Sequence, residues 1–331
     1  MNRVLITGGL GFVGVHCIEK WRGLGWDITV LDNLSSNTID PDDPICKGVE
    51  VIKRDFLAYE WLVFTEKAKK YVLPKKYDLI IHLASPVGPV GVLKHSGKMS
   101  KMIIDDIHHA IKGSLLHGCP LLFVSTSEIY GHRDSLSYLK EDDDKVLRGE
   151  FTVRNEYAQA KLLSEITLAN SAKVNSNLKY QIIRPFNISG AYQRPDNGFV
   201  LPRFVNQALS KDPITVYYDG TQRRAFTWVK DIVEGIYLTS TASKEHWNTF
   251  WNVGNTANEE SILYLAEKVK QITKTPSEII HVDPIELHGD YFAEAPDKIP
   301  DATKITKTLG WSPTKNTDQI IKEVVAFYEK D

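Results

Sequence analysis

Arg3-Val4-Leu5-Ile6-Thr7, running directly into Gly8-Gly9-Leu10-Gly11-Phe12-Val13-Gly14, decides how this chain folds. The first five residues are a short apolar run closed by glycine, the pattern of a strand buried on both faces. A helical pattern from Phe12 to Arg22 follows at once. Glycines 8, 11 and 14 stand where a strand turns into a helix. Gly8 and Gly11 let backbone approach a pyrophosphate, Gly14 allows close packing of helix on strand, and the helix N-terminus faces the phosphates. The spacing differs by one residue from the commonest dinucleotide fingerprint, so its weight comes from its place between strand and helix.

Outward from this turn the alternation continues. Strands are expected at Asp27–Leu31, Val49–Lys53, Asp78–His82, Leu121–Val124 and Tyr180–Arg184, with helices over residues 98 to 117 and Arg154 to Lys173. The fold class is therefore α/β, a Rossmann doubly wound parallel sheet with ligands at the carboxyl ends of its strands. After Pro185 glycine, proline and asparagine become frequent and strands shorten. The expected division is a dinucleotide-binding domain over residues 1–185, with a return segment near 228–255, and a smaller C-terminal lobe mainly over 186–331.

Asp32, followed by Asn33, ends the second strand about 20 residues after the glycines. A carboxylate there accepts hydrogen bonds from ribose hydroxyls and repels a 2′-phosphate, which favours NAD over NADP. Asp55, beside Phe56, follows the third strand and is placed to reach the adenine. Leu83, Ala84 and Ser85 after the fourth strand, and Pro185 after the sixth, complete the expected cofactor wall with Phe12 and Val13.

Composition excludes more than it selects. The 331 residues carry a net charge of −2, which offers no electrostatic case for nucleic acid or a membrane surface. Cys17, Cys46 and Cys119 lack the spacing of a zinc site or disulfide framework and read as small buried hydrophobes. No signal peptide or long apolar span is recognisable, so a cytoplasmic protein is expected. The acidic run Glu141-Asp142-Asp143-Asp144 reads as a solvated loop.

Two further motifs carry chemistry. Ser125-Thr126-Ser127-Glu128-Ile129-Tyr130-Gly131 ends the fifth strand and delivers hydroxyls and a carboxylate. Tyr157-Ala158-Gln159-Ala160-Lys161 sets a phenol and an ammonium one helical turn apart, on one face. Removing hydride from an alcohol needs a base for the hydroxyl proton. A phenol titrates at about 10 when unperturbed, and a neighbouring ammonium lowers that. Tyr157 is thus the candidate base, Lys161 its partner, and Thr126 a hydrogen-bonding partner of the same substrate oxygen.

At these residues the chain resembles the extended short-chain dehydrogenase/reductases of the nucleotide-sugar epimerase, dehydratase and decarboxylase group. The likeness extends through Leu31-Asp32-Asn33-Leu34, His82-Leu83-Ala84-Ser85, Arg184-Pro185-Phe186-Asn187, Gly220-Thr221-Gln222-Arg223-Arg224-Ala225-Phe226 and Leu309-Gly310-Trp311-Ser312-Pro313. The resemblance implies a retained NAD, a nucleoside-diphosphate sugar in the C-terminal lobe, and a homodimer. By matching position it implies that Asn187, Arg203 and Arg224 contact sugar or diphosphate. A guanidinium also suits bidentate phosphate contact on its own chemistry.

The reaction that follows oxidation at C4 divides the group. Thr126-Ser127-Glu128 resembles UDP-glucuronate decarboxylases and also GDP-mannose 4,6-dehydratases. Glu156 precedes the tyrosine where most epimerases and dehydratases have proline, and Arg154, three residues before Tyr157, resembles the arginine of hexuronate decarboxylases. Ala84-Ser85-Pro86 resembles their loop, which adds Pro86 to the substrate residues. The leading expectation is decarboxylation of a UDP-hexuronic acid, with Ser127 and Glu128 managing the carboxylate and the C5 proton. A 4,6-dehydratase with Glu128 as base, a 4-epimerase and a non-catalytic dinucleotide sensor are the alternatives. The chain departs from the group at Val87 to His95, which lacks tyrosines, at Ile103-Ile104-Asp105-Asp106, where Asn-x-x-Gly-Thr is usual, and at Gly190-Ala191-Tyr192.

Overall fold

The computed structural model describes residues 2–65, 70–72, 75–132, 138–147, 149, 151–289 and 297–330. Numbering only the central sheet, its strands are β1 (Arg3–Thr7), β2 (Asp27–Asp32), β3 (Glu50–Lys53), β4 (Leu79–His82), β5 (Leu121–Val124), β6 (Tyr180–Pro185) and β7 (Thr249–Val253). Their spatial order is β3-β2-β1-β4-β5-β6-β7, every pair parallel. The chain first winds outward from β1 to β3, then crosses back to place β4 on the other side of β1. That reversal opens a crevice between the carboxyl ends of β1 and β4.

Period-two alternation builds a core on each face of the sheet. Val4 and Ile6 of β1, with Leu79 and Ile81 of β4, meet helices α1 (Phe12–Gly23) and, later in the chain, Val229–Ser240. Leu5 and Ile80 point the other way into a second core with Ile107, Ala110 and Leu168. These last come from the long helices Met99–His117 and Val153–Val174. With the short Gly88–Lys94 helix as α2, they are α3 and α4, then α5 (Val200–Ser210), α6 (Val229–Ser240) and α7 (Ile262–Thr273).

Residues after Pro185 do two jobs. Helix α6 and β7 return to the sheet: Ile232, Ile236 and Trp251 lie in the first core, and β7 pairs with β6. Phe204, Phe226, Leu265 and Val324 form a separate core joining α5, α7 and the Thr317–Tyr328 helix. This smaller lobe overhangs the carboxyl edge of the sheet through residues such as Asn197, whose carbonyl lies 2.8 Å from where a Cβ on Gly88 would sit.

One expectation is corrected. Glu141 is not part of a solvated acidic loop: it is 8% exposed, its carboxylate accepts from the Asn252 N–H at 2.9 Å, and its carbonyl accepts from Arg184. Local composition concealed this, because the partners come from β6 and β7. The three cysteines are free and buried. No helix among the described residues is long and apolar enough to cross a membrane.

Candidate active site

A cavity of about 770 Å³ runs along the carboxyl edge of the sheet and under the smaller lobe. Every residue singled out for cofactor, substrate or chemistry lines it, from Gly8 at one end to Arg224 at the other. Its size suits a small-molecule ligand or a cofactor with a substrate.

The cofactor end is shaped by backbone. Gly8 has φ +66°, and a Cβ on it would come within 2.9 Å of Ala84 backbone, so the turns after β1 and β4 touch at the switch point. A Cβ on Gly14 would meet Gly9 Cα at 2.5 Å and the Gly8 carbonyl at 2.6 Å. No side chain caps α1 at Gly11, and Phe12, Val13 and Gly14 of its first turn face the cavity. Such a turn presents N–H groups to a pyrophosphate. Thr7 Oγ1 accepts from the Ala84 N–H at 3.2 Å and sits 2.8 Å from His82 Nδ1, holding the two turns together.

Asp32 closes this end. One carboxylate oxygen accepts from Leu10 N–H at 3.0 Å and the other from Leu34 N–H at 2.9 Å. Burial raises its pKa, and those two hydrogen bonds oppose the rise. Each oxygen keeps acceptor capacity for a ribose hydroxyl. Asn33 donates to Asp55 at 3.3 Å, and Phe56 lies against His82, ring centroids 4.9 Å apart. The residues present therefore fit a dinucleotide.

At the middle of the cavity, Thr126 follows β5 and caps the short Ser127–Tyr130 turn, its hydroxyl accepting from Glu128 N–H at 3.2 Å. Tyr157 and Lys161 are both buried on α4. Burial pushes the phenol upward, Glu128 adds to this, and the Thr126 hydroxyl and Arg154 pull the other way. Lys161 donates to the Val124 carbonyl at 3.1 Å, and burial brings its pKa down to about 8.

The substrate end holds a charge cluster. Arg154 Nη1 lies 2.8 Å from Glu128 Oε1, and Lys298 Nζ pairs with the same oxygen. Burial opposes ionisation of Glu128, but the two cations overcome it and hold the carboxyl far below its ordinary range. Lys298 is 2% exposed, and burial brings its pKa down to about 8 against the pull of Glu128. Nothing in the local sequence signalled Lys298: it lies in a loop beside the two-residue strand Ile299–Pro300, which pairs with Tyr138–Leu139. A lysine in an otherwise unremarkable Asp297-Lys298-Ile299 stretch has no periodicity to betray it.

The remaining substrate candidates are spread over the lobe. Arg224 is 6% exposed, donates to the Arg223 carbonyl at 2.8 Å and lies 3.9 Å from Asp297. Arg203 donates to the Thr215 carbonyl at 3.1 Å and stacks over Tyr217 at 4.0 Å. Asn187 has φ +34° and donates to the Ala225 carbonyl at 3.3 Å. Ser85 donates to Pro86 O at 3.3 Å on the opposite wall. Helix α2, from Gly88 to Lys94, also lines the cavity and was not foreseen as a helix.

A doubly wound sheet with a glycine turn at its switch point, under a second lobe that roofs the crevice, defines a Rossmann-fold protein with a two-part ligand cavity. Residues 4–254 match the NAD dependent epimerase/dehydratase family, and the chain belongs to that family. A UDP-N-acetyl-alpha-D-glucosaminuronate decarboxylase of Bacillus cytotoxicus is 30% identical over 99% of this chain and 98% of its own length. UDP-glucuronic acid decarboxylase 4 of Arabidopsis thaliana is 32% identical over 94% of this chain, which spans 65% of that protein. Among solved structures, the UDP-glucose 4-epimerase of Thermotoga maritima superposes with a TM-score of 0.83 at 22% identity, covering 99% of each chain. That likeness is one of fold.

Proposed function

We propose that this protein is an NAD-dependent decarboxylase of a UDP-hexuronic acid, acting through transient oxidation of the sugar at C4. The observation that carries the reading is Glu128 held between Arg154 and Lys298. A carboxylate so stabilised is a poor base, which disfavours removal of a C5 proton by Glu128 and hence a 4,6-dehydratase. Two cations around one carboxylate leave net positive charge, which suits a substrate carrying its own carboxylate. The full-length relative acting on UDP-N-acetylglucosaminuronate and the plant UDP-glucuronic acid decarboxylases support the same substrate class.

In this reading the glycine turn and α1 hold the pyrophosphate, Asp32 the adenosine ribose, and Asp55 with Phe56 the adenine. Pro185, Leu83 and Ala84 complete that wall. NAD bound there supplies the acceptor and later the donor of a hydride. Tyr157 takes the proton of the C4 hydroxyl, and Thr126 hydrogen-bonds the same oxygen as it becomes a ketone. The ketone makes the sugar a β-keto acid: the bond from C5 to the carboxylate breaks, carbon dioxide leaves, and its electron pair moves toward the C4 oxygen. C5 then takes a proton from solvent water, and Tyr157 returns the C4 hydroxyl proton as the alcohol is restored. Arg154 and the Ser127 hydroxyl orient the sugar carboxylate, with Glu128 holding Arg154 in place through their ion pair, while Arg203, Arg224 and Asn187 of the C-terminal lobe hold diphosphate and sugar.

The test is incubation of the purified protein and NAD with UDP-glucuronate and, separately, UDP-N-acetylglucosaminuronate, with products weighed by mass spectrometry. Carbon dioxide loss from either supports the reading. Loss of water from UDP-glucose or GDP-mannose, with no carbon dioxide from either acid, overturns it. We also propose a cytoplasmic homodimer formed through α3 and α4, where Leu163 and Ile166 are about half exposed. Light scattering that gives a monomer mass would remove the dimer.

A further inference from the structure

Asp106 is a carboxylate at the cofactor cavity that the proposed chemistry does not use. It lies on α3, is half-buried, and lines the cavity with Met102 of the preceding turn. Helix α3 packs on α4 through Met99 and Ile103, which meet Tyr157 and Ala160 in one apolar cluster. One turn beyond Ile103 is Asp106; one turn beyond Tyr157 is Lys161. The same helix pair that buries the tyrosine therefore brings a carboxylate to the lysine.

The charges around this pair are few among the described residues. Glu165 also acts on Lys161, but both its oxygens are taken by Arg184, at 2.6 to 3.2 Å. His82 of β4 is near enough to feel Lys161, and burial holds it neutral, with its pKa down at about 3. Asp55, after β3, and Asp105, on α3 itself, face Asp106 with like charge.

We propose that Asp106 is a positioning residue: its carboxylate is the counter-charge that keeps Lys161 a cation at the wall of the cofactor cavity. This rests on the reading of Lys161 as the partner of Tyr157. Burial, then Asp55, pushes the Asp106 carboxyl up to about 7, so the counter-charge is present above neutral pH and withdrawn below it. Lys161, brought down to about 8 by burial, is raised by Asp106 first and Glu165 second.

The experiment needs no substrate and no turnover. Protein labelled with carbon-13 at lysine Cε is titrated by NMR, and the Lys161 signal is identified by its loss in Lys161→Met. In the wild type the curve carries a second inflection near neutral pH, from Asp106, beside the Lys161 midpoint. Asp106→Asn removes that inflection and lowers the midpoint by about half a pH unit or more. Asp106→Glu restores both. An unchanged midpoint in Asp106→Asn overturns the proposal. Should that variant not fold, a wild-type curve with a single inflection overturns it equally. Failure to find any decarboxylation would leave these curves untouched, so the two readings fail separately.

Discussion

The two ends of the cavity are built by different means. The cofactor end is fixed by backbone: glycines whose missing Cβ atoms let turns meet, and a carboxylate held by two N–H groups. The substrate end is fixed by side chains from distant segments, with Glu128, Arg154 and Lys298 converging from a strand end, a helix start and a late loop. A backbone-built site tolerates few substitutions and announces itself in residue types at fixed spacing. A charge cluster can be assembled from residues anywhere along the chain, so it leaves no fixed spacing to read.

The largest effect is expected at the residues where the two ends meet. Tyr157→Phe removes the phenolic oxygen while leaving the ring in its apolar cluster. Turnover of the confirmed substrate should fall about a thousandfold, with NAD affinity within a few-fold of wild type by calorimetry. Turnover that survives would separate the cavity from the catalysis.

The charge cluster gives the next largest effect. Lys298→Met leaves Glu128 with Arg154 as its remaining cation among the described residues, and unfolding free energy should drop by up to about 3 kcal/mol in urea titration. Lys298→Arg keeps a cation at every accessible pH. Lys161 and Lys298 both lose their protons near pH 8, so the wild-type rate should fall steeply on the alkaline side. In Lys298→Arg one of those protons no longer titrates, and the limb becomes shallower. A limb of unchanged steepness would mean that Lys298 is silent in turnover.

How much of each end could be read beforehand follows from the same contrast. Strand β1, the glycine turn and Asp32 were legible because each residue type answers a backbone constraint at a known distance along the chain. Tyr157 and Lys161 were legible because helical spacing puts them on one face. Lys298 was not, since its significance arises only when the Ile299–Pro300 strand pairs with Tyr138–Leu139 far upstream. Glu141 was misread for the same reason: its partners Arg184 and Asn252 lie on other strands. A return segment near 228–255 was expected from the change of texture after Pro185, and α6 and β7, which pack on and pair with the sheet, lie in that stretch.

A smaller effect is expected from the backbone itself. Gly14→Ala puts a methyl group 2.5 Å from Gly9 Cα, where no flexible side chain can yield. Helix α1 must shift away from β1, at a cost of about 2 kcal/mol, and NAD binding should be lost with it. Thermal unfolding and NAD titration on the same sample check both. A variant as stable as wild type that binds NAD normally would show that the turn is not rigid.

The smallest effect is expected from a single carboxylate. In Asp32→Asn the geometry of the turn is kept but the acceptors are not equivalent. The two carboxylate oxygens now serve Leu10 N–H and Leu34 N–H. An asparagine has one oxygen and one NH₂, so whichever way it turns it aims a donor at one of those N–H groups. Only one ribose hydroxyl can then be accepted at full strength, and NAD should bind about tenfold more weakly. Loss of the negative charge also relieves repulsion of a 2′-phosphate, so NADP should gain relative to NAD. Equal weakening of both cofactors would assign Asp32 to holding the turn alone, whereas a selective gain for NADP would show that backbone-anchored carboxylate setting cofactor choice.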